Sequence, residues 1–228
     1  MKIEKLEPSQ HKASRWLVWL KDGSLLRVGE GDVVAQSLYA GKELSEQEAA
    51  ALTAAAGQSK LNERAVALLS ARPMSRKELV DKLSTPTRPR KKAGEEWTGP
   101  DPEALARQRE ALREAAEKTA DRLGDLGLLD DGEYARTVAR HYAAKGFGVR
   151  RIRDELYRRG VPREYWDEAL AEFEAGESAL DKLVRQKLRG AEPTREDLKK
   201  VSDYLARRGF GWEEISAALE RYDADLEE

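Results

Sequence analysis

Two stretches of this 228-residue chain share one pattern and decide its fold: residues 152–170, IRDELYRRGVPREYWDEAL, and residues 201–219, VSDYLARRGFGWEEISAAL. Apolar residues, an Arg-Arg-Gly triplet and a closing Ala-Leu pair occupy matching positions in both, about fifty residues apart. Such a period is typical of a supersecondary unit that buries its apolar face against neighbouring copies. The pattern therefore predicts a repeat protein that acts through a long surface rather than a pocket.

A third copy precedes these two, because Leu79 and Leu83 have the same four-residue apolar spacing. It is interrupted by a stretch rich in Pro, Gly and charge, which predicts an inserted loop over 85–102, followed by a long helix. We expect three tandem repeats, with the following bounds: 59–132, 133–176 and 177–228.

Helix boundaries are signalled within the repeats. In the second copy Gly160 ends one helix, and Pro162 suits the opening turn of the next. Apolar stripes at helical spacing predict three helices in each repeat. In a capping box, the side chain of the N-cap residue accepts from a free helical amide, and an acidic side chain three residues later accepts from the amide of the N-cap residue. Three pairs fit this pattern: Ser45 with Glu48, Ser75 with Glu78, and Asp130 with Glu133.

The first forty residues have a different pattern. Residues 16–20 and 25–28 are apolar runs on either side of Lys21-Asp22-Gly23-Ser24, which predicts a β-hairpin. Residues 33–38 suit either a third strand or a short helix, and the Ala-rich residues 45–56 suit a helix that joins this extension to the first repeat. The predicted fold class is mainly α: three tandem three-helix repeats forming an elongated curved body, with a small N-terminal β-hairpin extension over 1–58.

The composition limits the class of protein. At 40% hydrophobic and 37% charged residues, modest cores in small modules are expected rather than one large enzyme-like core. No apolar run suits a signal peptide or a membrane span, and cysteine is absent. We therefore expect a cytoplasmic location without contact to a membrane.

The sequence offers little support for catalysis. His11 and His141 stand alone, and each is expected to have a structural role. Asp130 and Asp131 suggest a metal site, but Asp130 is well placed as a helix cap, and we prefer the cap. We predict no catalytic residue, no cofactor and no metal.

The charges are segregated along the chain although the net charge is only −2. Between residues 136 and 163, nine basic residues stand against two acidic ones, and an acidic segment follows. Guanidinium groups form paired hydrogen bonds with phosphates and with carboxylates, so the basic segments suit either DNA or an acidic protein surface. Charge alone leaves both alternatives open.

Three motifs in order resemble the RecX family of bacterial recombinase regulators: ALLSARPMSRKEL at 67–79, LGLLDDGEYA at 126–135, and KGFG at 145–148 with the Glu-Leu and Gly-Val pairs that follow. The resemblance implies a non-enzymatic regulator that binds the RecA filament on single-stranded DNA and inhibits its ATPase, strand exchange and coprotease activities. It implies a basic contact surface: Arg72, Arg76, Lys77, Lys145, Arg150, Arg151, Arg153, Arg158 and Arg159.

One rival function comes from a different class. Tandem three-helix units are similar in shape to helix-turn-helix modules, so a DNA-binding regulator with basic helices in the major groove is the alternative. A purely structural adaptor is a third hypothesis. We expect a monomer, and either single-stranded or double-stranded DNA stays open as a direct ligand.

Overall fold

A computed structural model of the protein describes residues 1–85, 101–171, 177–188 and 193–227. Most of the loop predicted at 85–102 lies outside the described residues. The chain forms two compact units: Met1–Arg72 with Leu79–Leu128, and Pro73–Glu78 with Leu129–Glu228. The described residues are mainly helical with one small N-terminal sheet, which confirms the predicted fold class in these respects.

The sheet has three antiparallel strands in the order β1-β2-β3: β1 Ile3–Pro8, β2 Arg15–Leu20 and β3 Leu25–Gly29. The hairpin of β2 and β3 was predicted, and Gly23 supplies the positive φ of 82° that its turn requires. β1 was not predicted, because charged residues interrupt its apolar ones. The segment at 33–38 contributes to a short helix, α1 Glu30–Ala35, and not to a third strand.

One long helix, α2 Glu46–Ala71, follows the sheet. The predicted linker helix at 45–56 is therefore only the first part of α2, and the proposed boundary after residue 58 lies inside it. The helix continues through Gly57, and Gln58 beside it donates a hydrogen bond of 2.7 Å to the buried Thr119. Leu52 packs α2 against Val18 and Val28 of the sheet.

Two further helices follow α2: α3 Arg76–Leu83 and α4 Pro102–Asp125. Arg64 of α2 donates a hydrogen bond of 2.7 Å to the carbonyl oxygen of Lys82 at the end of α3. The carboxylate of Asp101 accepts from the amides of Glu103 and Ala104 and so caps α4, where a long helix was predicted.

The second unit contains the other six helices of the described chain: α5 Asp131–Ala144, α6 Val149–Arg158, α7 Trp166–Ala171, α8 Glu177–Lys187, α9 Arg195–Arg207 and α10 Trp212–Glu227. A short 3₁₀ helix at Arg163–Tyr165 leads into α7. One core lies among α5, α6 and α7, around Ile152, Leu156 and Leu170. A second core lies among α8, α9 and α10, around Val201, Leu205 and Ile215.

The first side chain of each predicted capping box accepts from the expected amide, and at Ser75 the hydroxyl accepts from the amide of Glu78 at 3.1 Å. Both halves of the capping box are present at Ser45 and Glu48. Asp130 accepts from the amide of Glu133 at 2.9 Å, which confirms the cap. The reciprocal half predicted there does not form in the described structure, because the Glu133 carboxylate accepts instead from Arg136 and Arg140 on the same helix.

Candidate partner-binding surface

The basic helix α6 is anchored by one face and exposed on the other. Ile152 and Leu156 are fully buried in the core, because they lie on the same side of the helix. Arg150, Arg151 and Arg153 fall off this apolar stripe and are exposed, as their spacing predicts. A rigid helix therefore presents three guanidinium groups to the solvent.

The first turn of α6 combines hydrogen-bonded amides with two arginines that form no ion pair within the described residues. The amide of Gly148 donates to the carbonyl oxygen of Arg208 at 2.9 Å, and the amide of Arg150 donates to that of Gly209 at 3.1 Å. This turn holds Arg150 and Arg151 and no acidic residue. Because a helix N-terminus already carries partial positive charge, these two cations raise the local potential and favour an acidic or phosphate-bearing partner.

The last turn of α6 is organised by a buried carboxylate. Glu155 is only 2% exposed and accepts from Arg158 at 2.7 Å and from Arg159 at 2.6 Å. Burial alone would raise the pKa of Glu155, but the hydrogen bonds from the two guanidinium groups outweigh burial and lower this pKa to about 2. Glu155 is therefore ionised at neutral pH and fixes both arginines.

The two arginines differ in their surroundings. Arg159 is half-buried and also donates a hydrogen bond of 2.8 Å to the Tyr134 hydroxyl, so it holds α6 against α5. The Arg158 side chain is 73% exposed. Of this predicted pair, Arg158 is thus accessible to a partner, while Arg159 is mainly a structural residue.

An exposed aromatic residue is absent from the predicted set. Tyr157 is 70% exposed and lies one turn beyond Arg153 along the same side of α6. Its position just after the buried Leu156, off the apolar stripe, was the signal in the sequence. We call the surface formed by Arg150, Arg153 and Tyr157 the α6 outer face.

The remaining predicted residues lie at helix ends. In the second unit the amide of Arg76 donates to the Asp131 carboxylate at 2.7 Å, and Lys77 packs against Gly160. Burial raises the pKa of Asp131 despite this hydrogen bond. Exposed Lys145 ends α5, and exposed Arg72 ends α2 in the first unit.

The structure thus brings the predicted residues of the second unit into two groups. Lys77 lies at the turn that follows α6, next to Arg159, while Lys145 and Arg150 lie at the turn that follows α9. Arg208, which was not predicted, joins the second group through a hydrogen bond of 2.7 Å to the carbonyl oxygen of Lys145. Arg208 occupies the same position in its repeat as Arg159 does in the preceding one, and this correspondence was the signal in the sequence.

The described ranges form neither a metal-binding cluster nor a membrane-spanning helix. No cluster of three or more metal-ligating side chains occurs there. No described helix is both long enough and apolar enough to cross a membrane.

Paired three-helix modules with separate cores, joined at Arg-Arg-Gly turns, define a helical-repeat protein. The family model for the second three-helix domain of RecX matches residues 130–170, and the model for the third matches residues 172–219. The chain belongs to the RecX family of regulatory proteins, which confirms the resemblance predicted from the motifs.

Relatives and solved structures support this membership. The regulatory protein RecX of Xanthomonas axonopodis pv. citri is 38% identical over 168 residues, which cover 72% of this chain and 87% of that protein. That of Pseudomonas putida F1 is 36% identical over 122 residues, or 52% of this chain and 78% of that protein. A crystal structure of regulatory protein RecX superposes with a TM-score of 0.70 at 25% identity, covering 96% of this chain and 98% of that one.

Proposed function

We propose that this protein binds the RecA filament on single-stranded DNA in the cytoplasm and inhibits its ATPase, strand exchange and coprotease activities by binding alone. The observation that carries the proposal is the α6 outer face, where Arg150, Arg153 and Tyr157 are exposed on a helix anchored in the core. Membership of the RecX family supports a regulatory role.

The composition of the α6 outer face favours a protein partner. Arginine and tyrosine are among the residues that contribute most to protein interfaces, because they bring large contact areas and directed hydrogen bonds. The guanidinium groups suit carboxylates on an acidic partner. Within this surface Arg153 lies 3.8 Å from the exposed Asp167, a loose ion pair that a partner carboxylate can replace at little cost.

The repeats provide a way to increase affinity. Each module offers a few basic contacts, and modules held in one chain bind successive sites at high effective concentration. In this proposal Arg72, Arg76, Lys77, Lys145, Arg151 and Arg158 contribute further contacts, while Arg159 positions α6.

A charge-reversal variant tests the proposal. Arg150→Glu, Arg151→Glu and Arg153→Glu together should leave the helical content and the thermal midpoint nearly unchanged, since all three side chains are exposed. The concentration required to inhibit the DNA-dependent ATPase of RecA should rise at least about tenfold, because like charges then face the acidic partner. Reversal of Arg107, Arg109 and Arg113, exposed on α4, is the matched control and should inhibit normally.

A substitution of Tyr157 distinguishes this proposal from the alternative, a DNA-binding regulator. Tyr157→Ala removes an exposed ring without a change of charge, so filament inhibition should weaken while binding to bare duplex DNA stays the same. A correctly folded triple variant that still inhibits at the wild-type concentration would contradict the assignment of this surface.

A further inference from the structure

The two edges of the N-terminal sheet differ in how they are protected. On the β1 side, the amide of Ile3 donates to the carbonyl oxygen of Lys42 at 2.9 Å, so a neighbouring segment covers part of that edge. A register shift between Ile3 and Lys5, and Pro8 with no amide hydrogen, interrupt the rest of it. Bulges, lysines and prolines are the usual means by which a sheet edge avoids pairing with a further strand.

The β3 edge lacks this protection over residues 25–27. The amide of Leu20 donates to the carbonyl oxygen of Ser24 at 2.9 Å, which sets the alternation of the antiparallel ladder between β2 and β3. By that alternation, the N–H and C=O groups of Leu25 and Arg27 point away from β2. These four groups form no other hydrogen bond within the described ranges, and Arg27 is exposed. We call residues 25–27 the open edge.

The face of the sheet opposite its core carries apolar side chains and one cation without an ion pair. Trp19 is paired across the ladders with Lys5 on one side and with Leu25 on the other, and the Lys5 ammonium lies 5.1 Å from the centre of the Trp19 ring. Arg27 lies on the same face as Leu25, two residues away. Lys5 forms an ion pair with Glu7 at 2.6 Å, whereas Arg27 forms none with a described carboxylate.

We infer that the open edge binds an extended segment of another protein, in which an acidic residue is followed two positions later by a large apolar residue. Residues two apart on a strand share one face. A segment added antiparallel to β3 therefore places its carboxylate opposite Arg27 and its apolar side chain opposite Leu25, beside Trp19. The edge groups provide affinity for any extended backbone, and the two side-chain positions provide specificity.

This site is distinct from the α6 outer face. All of its residues belong to the first unit, whereas the α6 outer face belongs to the second. Its recognition chemistry also differs, because backbone hydrogen bonds to a sheet edge require an extended partner.

A fluorescent peptide, Ser-Thr-Asp-Thr-Ile-Thr-Ser, titrated into the full chain and followed by anisotropy, tests this inference. Arg27→Glu should raise its Kd at least about fivefold, because like charges then face each other across the paired strands. A peptide with Lys in place of Asp should show the opposite preference and bind Arg27→Glu more tightly than the wild type. The amides of Leu25 and Arg27 should also exchange with solvent more slowly when the peptide is bound.

Two substitutions at one position separate the backbone contribution from the charge. Arg27→Thr and Arg27→Pro both remove the guanidinium group, but only proline also removes the outward N–H, which the sheet itself does not use. Arg27→Pro should therefore weaken peptide binding several-fold more than Arg27→Thr. Circular dichroism checks that both variants fold. If Arg27→Pro does not fold, the charge exchange at Arg27→Glu and the amide exchange still decide the result.

The inference fails if the peptide does not bind at about 1 mM, or if exchange of the Leu25 and Arg27 amides stays unchanged. It also fails if folded Arg27→Thr and Arg27→Pro bind the peptide alike. A wild-type dimer that is lost in Arg27→Pro would instead identify a second copy of this chain as the occupant of the edge. Since no RecA is present, the result is independent of the proposed function.

Discussion

The backbone amide of Arg150 donates a hydrogen bond of 3.1 Å to the carbonyl oxygen of Gly209. The turn after α9 thus supplies a partner for an amide at the start of α6, which the helix itself cannot satisfy. At the turn after α6 a side chain takes this role, since the Ser75 hydroxyl donates to the carbonyl oxygen of Arg159, and Lys77 lies against Gly160. Within the second unit, both Arg-Arg-Gly turns therefore contact residues at the start of another helix.

Gly209→Ala should destabilise the second unit by at least about 2 kcal/mol. The φ of Gly209 is +91°, and an added Cβ would lie 2.5 Å from both the Cβ and the amide nitrogen of Arg151. Chemical denaturation followed by circular dichroism measures the loss. An unchanged midpoint would show that the turn after α9 is not closely packed.

Two other glycines serve as controls for this variant. Gly23 has a positive φ of 82°, but no described atom lies within 4 Å of an added Cβ, so Gly23→Ala should cost only the conformational penalty of about 1 kcal/mol. Gly57 lies inside α2 with open space around it, and Gly57→Ala should stabilise the protein by roughly 0.5–1 kcal/mol.

Glu155→Gln should destabilise the protein by about 3 kcal/mol at pH 7, because it leaves two arginines without their buried partner. The pKa of Glu155 is lowered from 4.5 to about 2 in the folded state, so its stabilisation is complete above about pH 5 and is lost as the pH falls toward 2. The difference in unfolding free energy between wild type and variant should therefore shrink between pH 5 and pH 2.5. A constant difference over this range would contradict the assigned pKa.

Arg159→Met should lower the free energy of unfolding by about 1–2 kcal/mol more than Arg158→Met does. Both side chains contact Glu155, but Arg159 is 29% exposed and also binds the Tyr134 hydroxyl, while Arg158 is 73% exposed and its ion pair is screened by water. Thermal denaturation of the two variants in parallel checks the order. Equal losses would mean that the Tyr134 contact contributes little.

Thr119→Val should cost about 1–2 kcal/mol, because it leaves the Gln58 side chain without the buried hydroxyl that accepts its hydrogen bond. Thr53→Val is the matched control on α2. The hydroxyls of Thr53 and Thr119 each donate to a carbonyl oxygen one helical turn earlier, but Thr53 is exposed. The free energy of unfolding should therefore change by no more than about 0.5 kcal/mol in Thr53→Val. Similar losses at both positions would indicate helix propensity as the cause.

Local signals predicted the elements whose partners are near in sequence. The hairpin of β2 and β3, the caps at Ser45 and Asp130 and the long helix α4 all depend on contacts within a few residues. β1 escaped prediction because charged residues interrupt its apolar ones, so that no strand pattern marks it before it pairs with β2. The bounds of the repeats at 59, 133 and 177 stay a prediction.

The sequence by itself determined the helical repeat, the family and the exposure of Arg150, Arg151 and Arg153, since periodicity alone separates a buried stripe from the other face of a helix. Only the tertiary structure decided what each cation does. Glu155 holds Arg159 as a structural residue, whereas Arg208 meets the ring of Phe147 across a module boundary. Charge and spacing are properties of the chain, but the distance between a cation and its partner exists only once the modules pack.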